Sequence, residues 1–111
     1  HLQSGITLSG GEPFEQPLAL MPIAQAAIEL GLNVWAYSGY TYEEIIADEN
    51  KFALLKLVDV LVDGRFVNDL KPYKLRFKGS SNQRIIDVKK SLAEHQVILS
   101  TYDEVNQQLG S

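Results

Sequence analysis

Apolar residues along the chain fall into short blocks that alternate between strand-like and helix-like spacing. Ile6-Thr7-Leu8 is a brief, β-branched-rich run bounded by Gly5 and by Gly10-Gly11, which predicts a buried parallel strand. Pro13, Pro17 and Pro22 mark a loop and the entrance to a helix, whose first turn tolerates proline. Leu20, Ile23, Ala24, Ala27 and Ile28 then keep the three-and-four spacing of a helix with one apolar face. Gly31 suits the left-handed position that ends such a helix. Asn33-Val34-Trp35-Ala36-Tyr37 reads as the next strand, closed by Ser38-Gly39.

Thr41-Tyr42-Glu43-Glu44 has capping-box spacing, so a second helix should begin there. It is expected to break near Asp48-Glu49-Asn50 and resume from Lys51 to Leu57. Asp59-Val60-Leu61-Val62-Asp63-Gly64 predicts a third strand with a glycine turn. Between Arg65 and Ser81 the pattern weakens, since Pro72 and Gly79 interrupt it, and a long loop is expected. Ser81 or Asn82 is read as the cap of a helix through Leu92, with Ile85-Ile86 as strand the alternative. Val97-Ile98-Leu99 reads as a final strand, and the capping box Thr101-Tyr102-Asp103-Glu104 as the start of a terminal helix. Crossover helices between buried strands define an α/β fold with a mostly parallel sheet.

Composition narrows the picture. With 111 residues, 45% hydrophobic and 22% charged, the chain fits one domain, residues 1–111. Fourteen acidic residues against ten basic ones give a net charge of −4, which argues against a phosphate-neutralising nucleic-acid surface. Lys71, Lys74, Arg76 and Lys78, interleaved with Tyr73 and Phe77, are better read as a solvated or partner-facing loop. The apolar runs fall far short of the roughly 20 residues that span a bilayer. No secretory leader opens the chain, so a cytoplasmic protein without a membrane association is expected. There is no cysteine, hence neither a disulfide nor a thiolate metal site, and His1 and His95 are too far apart to suggest zinc.

Ligands of parallel α/β sheets lie beyond the carboxyl ends of the strands. That rule selects the turns at Ser9 to Pro13, Tyr37 to Tyr40 and Asp63 to Phe66. Gly10-Gly11 leaves main-chain groups open to a ligand's ammonium or hydroxyls, because no Cβ stands in the way. Ser38 brings a hydroxyl, while Asp63 and Arg65 bring an acceptor and a carboxylate-binding cation. Phosphate-loop, dinucleotide-turn and nucleophile-elbow motifs are all missing. The bland alternative is that these glycines only form turns, that Asp63 only holds one, and that His95 is a solvated or capping residue.

The segment from Gly5 to Pro13, with its Gly-Gly-Glu-Pro turn, resembles a strand of radical S-adenosylmethionine enzymes. Asp59 to Phe66 and the run from Arg76 to Arg84 are similar to segments of one branch, the activating proteins of anaerobic ribonucleoside-triphosphate reductases. The resemblance implies a partial (β/α) barrel, here lacking its first strand. It implies a [4Fe–4S] cluster that reduces S-adenosylmethionine, and a radical that removes hydrogen from a glycine Cα of the partner reductase. It also implies that Gly10, Gly11 and Glu12 hold the methionine ammonium, chiefly through backbone carbonyls. Ser38 would face the nucleoside, and Asp63 and Arg65 would lie near the cofactor, with Arg65 pairing its carboxylate.

The sequence departs from that family in one respect. The family binds its cluster through a Cys-x3-Cys-x2-Cys loop upstream of the Gly-Gly-Glu-Pro strand, and this chain has no cysteine. Catalytic and metal-ligating residues are therefore expected to be missing, and the chain alone to be inactive. A truncated activase, a cysteine-free binding module of the same fold, and an activase of another glycyl-radical enzyme such as pyruvate formate-lyase are the readings left open. A missing first strand would expose a sheet edge, so a homodimer or strand exchange through Ile6 to Leu8 is expected.

Overall fold

The computed structural model describes residues 5–9, 11–64 and 83–101. Strand β1 (Gly5–Leu8) is followed by a single 3₁₀ turn (Pro13–Glu15) and helix α1 (Pro17–Glu29). Then come β2 (Asn33–Tyr37), α2 (Tyr42–Ile46), α3 (Glu49–Leu55), β3 (Val60–Asp63), β4 (Arg84–Asp87) and α4 (Val88–Glu94). The strands form one open sheet in the order β1-β2-β3-β4. The first three are parallel, with Ile6 opposite Val34 and Ala36 opposite Leu61. The α/β, mostly parallel expectation therefore holds as an open sheet.

Local chemistry explains the boundaries. Pro17 sits in the first turn of α1, where its missing N–H costs nothing. Pro22 lies inside the helix rather than at its entrance, on an exposed position where water can serve the carbonyl it leaves unpaired. The helix ends in a Schellman arrangement. Gly31 adopts φ 76°, its N–H donates to the Ile28 carbonyl, and the Leu32 N–H reaches back to Ala27 at 2.9 Å.

The capping box of α2 is complete. Thr41 Oγ1 accepts from the Glu44 N–H at 3.2 Å, and Glu44 Oε1 accepts from the Thr41 N–H at 2.9 Å. Asp48 caps α3 through the Lys51 N–H at 3.0 Å, which explains the break expected there.

Beyond β3 the sequence reading needs correction. Arg84–Asp87 is a strand, and it runs antiparallel to β3. The helix that follows is capped by Asp87, whose Oδ1 accepts from the Lys90 N–H at 3.0 Å, and not by Ser81 or Asn82. Ile85 and Ile86 are both fully buried, so this strand lies between two covered faces and shows no alternation. Val97 to Leu99 forms no strand of its own. It contributes an isolated antiparallel bridge at Leu99 to Ile86, with the Ser100 N–H donating to Ile85 at 2.8 Å. The loop expected between Arg65 and Ser81, and the terminal helix beyond Thr101, lie outside the described residues.

The core joins Val34, Ala36, Leu61 and Ile86 of the sheet to Ala24, Ala27, Ile45, Leu54 and Leu55 of the helices. Phe14 enters the same core from the 3₁₀ turn and is fully buried. Helices α1 and α3 pack on one another and so share a layer. At the opposite end of the strands, Asp59 joins three elements. It accepts from the Val34 N–H through Oδ2 at 2.8 Å, and its carbonyl accepts from Val88 at 3.0 Å.

Gly5 shows why a glycine opens β1. A Cβ there would stand 2.9 Å from the Asn33 carbonyl oxygen, a backbone atom that cannot swing aside. Gly5→Ala is expected to push β1 off β2 and cost about 1–3 kcal/mol, the usual range for overpacking. A lowered urea midpoint with an unchanged denaturant slope is the expected readout.

Candidate functional site

Because β1, β2 and β3 are parallel, their carboxyl ends share one edge. The turns after them bring Ser9, Gly11 to Pro13, Ser38 to Tyr40 and Gly64 side by side. Strand β4 runs the other way, so its first residue, Arg84, arrives at the same edge opposite Asp63.

Glu12 is the centre of the first two turns. One carboxylate oxygen accepts from the Ser38 hydroxyl at 2.8 Å and from the Phe14 N–H at 3.1 Å. The other accepts from the Gly39 N–H at 2.6 Å. Ser38, buried beneath the turn, also accepts from the Tyr40 N–H at 3.0 Å. The side chains of Glu12 and Ser38 are thus engaged with one another and with the chain.

The main chain at Gly11 is open by contrast. Its φ of 154° lies where side chains are rarely tolerated, and nothing stands within 4 Å of the point a Cβ would occupy. A pocket of about 170 Å³ lies there, lined by Ser9, Gly11, Glu12, Pro13, Gln16 and Leu20. A neighbouring one of about 320 Å³ is lined by Glu12, Glu15, Gly39 and Tyr40. Glu12 belongs to both.

Asp63 is placed on the same edge, 1% exposed, and its carboxylate is fully engaged. Oδ2 accepts from the Tyr42 N–H at 2.7 Å, and the Arg84 guanidinium forks onto both oxygens at 3.1 and 2.5 Å. Arg84 also reaches Glu43 at 2.7 Å. The hydrogen bond to Asp63, then that to Glu43, holds the guanidinium proton more firmly than usual. The Arg84 hydrogen bond in turn lowers the Glu43 pKa. Gln83 supports this corner by donating to the Gly64 carbonyl at 2.9 Å.

Of the residues singled out from sequence, Gly11, Glu12, Ser38 and Asp63 come together on this edge. Gly10 and Arg65 lie outside the described residues. His95 is a helix terminator, left-handed at φ 59°, in keeping with the capping reading. Tyr40 was marked only as the end of the turn after β2, and Glu15 and Arg84 were not anticipated as site residues. The Tyr40 hydroxyl donates to Glu15, and that bond, ahead of burial, raises the phenol pKa. Lys51 lies 4.9 Å from the Tyr40 ring centre. The only signal for Glu15 was its place one 3₁₀ turn after Glu12.

In mostly parallel α/β sheets, a glycine-bearing turn beside a crevice at the strand ends is the usual place for a small ligand. The chain belongs to the 4Fe–4S single cluster domain family, whose model matches residues 1–86. Its relatives include the anaerobic ribonucleoside-triphosphate reductase-activating protein of Escherichia coli (strain K12), 39% identical over 85 residues, or 73% of this chain and 54% of that protein. The protein of that name from Salmonella typhi is 40% identical over 86 residues, with the same coverage. The one from Enterobacteria phage T4 is 34% identical over 86 residues, covering 73% of this chain and 51% of the phage protein. The chain spans about half the length of the curated relatives it matches. No solved structure matches.

The residues of this chain do not fit a [4Fe–4S] cluster. The sequence has no cysteine, and among the described residues no three His, Cys, Asp or Glu side chains are grouped to hold a metal. Among the described residues no helix is long and apolar enough to cross a membrane.

Proposed function

We propose that this chain is part of an activase of an anaerobic ribonucleoside-triphosphate reductase, and that it supplies the wall on which S-adenosylmethionine rests. The observation that carries the reading is the exposed main chain at Gly11, beside two pockets that share Glu12 at the carboxyl edge of a parallel sheet. In this reading the carbonyls of Gly10, Gly11 and Glu12 accept from the methionine ammonium. The turn that begins at Ser38 faces the nucleoside, and Arg65 pairs with the carboxylate. Asp63 acts at one remove, by fixing Arg84 and the amino end of α2.

The reductive cleavage of S-adenosylmethionine by such an activase, and the glycyl radical left on the reductase, need a [4Fe–4S] cluster that this chain has no thiolate to hold. The chain alone is therefore expected to make no radical. The whole protein is proposed to act in the cytoplasm; its proposed protein partner is the reductase, which the names of the relatives support. Calorimetric titration of the chain with S-adenosylmethionine and with the reductase tests it. Saturable binding to either is expected, and heat from neither removes the reading.

We also propose self-association. Strand β1 stands at one edge of the described sheet. Helix α1 has no charged residue before Glu29 and leaves Leu18 and Ile23 more than half exposed, at 59% and 52%. A helix apolar on more than one side is normally covered, and an uncharged face lets two copies of a chain of net charge −4 meet without opposing acids. Sedimentation is expected to show a mass that rises with concentration and an Ile23→Lys variant that stays monomeric. A wild-type monomer at every concentration contradicts the idea.

A further inference from the structure

We propose that Glu12 is a positioning residue, whose carboxylate fastens the turn after β2 to the turn after β1 and thereby sets the width of the crevice between them. The inference rests on the ligand reading above, and it assigns the Glu12 side chain a part that needs no contact with ligand.

The geometry is specific. Three donors from two turns converge on one carboxylate: the Phe14 N–H, the Ser38 hydroxyl and the Gly39 N–H. Phe14 lies two residues along the chain, whereas Ser38 and Gly39 lie 26 and 27 residues away. A carboxylate accepts through about four lone-pair positions, and here three are taken by the protein. The bond to Gly39, at 2.6 Å, is short and charge-assisted, a kind roughly twice as strong as a neutral one. Ser38 passes the constraint on by accepting from the Tyr40 N–H, so Tyr40, the far wall of the second pocket, is held through Glu12. β1 and β2 are paired along their length, but beyond Leu8 and Ala36 the ladder stops and the turns need their own tie.

The test uses the ¹⁵N-labelled full chain and its Glu12→Gln, Glu12→Asp and Ser38→Ala variants. In wild type the Gly39 amide proton is expected far downfield and slow to exchange. Glu12→Gln, which replaces one acceptor oxygen with a donor, should shift it upfield and speed its exchange at least tenfold. Glu12→Asp keeps the charge but is one methylene short, so it should not restore the signal. Ser38→Ala keeps the carboxylate and the Gly39 bond, so it should retain the downfield proton while loosening Tyr40; it also serves if Glu12→Gln fails to fold. Calorimetry with S-adenosylmethionine should show at least tenfold weaker binding by Glu12→Gln. A Gly39 amide unmoved by Glu12→Gln overturns the fastening, as does a Glu12→Asp variant with the wild-type signal. Unchanged S-adenosylmethionine affinity in a Glu12→Gln variant that has lost the amide signal overturns its role in the crevice. Wild-type chain that binds no S-adenosylmethionine refutes the ligand assignment, while the amide alone then decides the fastening.

Discussion

Phe14→Ala is expected to lower stability by about 3–5 kcal/mol, the range for deleting a buried aromatic ring. The ring is fully buried, and it is the one large side chain that the turn after β1 sends into the core. Its removal leaves a void between that turn, α1 and α3, which can collapse only if the turn itself moves. A domain of this size holds roughly 5–15 kcal/mol in all, so the loss takes a large share. Urea denaturation followed by far-UV circular dichroism measures it. Phe14→Leu keeps most of the apolar volume and should recover more than half of the loss. Because alanine retains the N–H that Glu12 accepts from, the effect separates core packing from the tie between the turns.

Arg84→Ala is expected to cost about 3 kcal/mol, near the lower end for breaking a buried ion pair by removing one partner. Asp63 is buried, and the fork from Arg84 supplies most of its hydrogen bonds, leaving only the Tyr42 N–H after the substitution. The penalty is that of a carboxylate stranded away from water, and it greatly exceeds the contribution of the exposed Glu43 contact, which salt screens. Glu43→Ala should therefore change stability by less than about 1 kcal/mol. A double replacement, Asp63→Asn with Arg84→Met, is expected to be less harmful than Arg84→Ala alone, since it leaves no unpaired charge. Thermal or urea unfolding of the wild type and the three variants measures these differences. Equal losses for Arg84→Ala and Glu43→Ala would count against this account.

The elements written in local chemistry were legible. The capping box at Thr41 announces a helix start and is present, while the break expected at Asp48-Glu49-Asn50 is a cap at Asp48, with the helix resuming at Glu49 rather than Lys51 and ending at Leu55. Gly31 ends α1 because only its left-handed conformation lets the last carbonyls be satisfied. Strand β4 was not legible in the same way. Two consecutive buried isoleucines fit a strand or a helix equally well, and Ser81, Asn82 and Asp87 compete as caps. Pairing with β3 decides between them, and that register is a tertiary fact.

The site divides along the same line. The glycine-rich turn was visible because a bare backbone is a local property. The tie from Glu12 to Ser38 spans 26 residues and the pair from Arg84 to Asp63 spans 21, so neither follows from spacing in one segment. Arg84 was hidden for a further reason, since reading it within a helix placed it away from the strand ends.

The reversed direction of β4 has a mechanical consequence. β3 ends and β4 begins on the edge where the turns gather, and there Asp63 stands opposite Arg84 and pairs with it. The gathering edge of the sheet is thus held by a charge pair as well as by the ladder, so fraying of β4 there must break both at once.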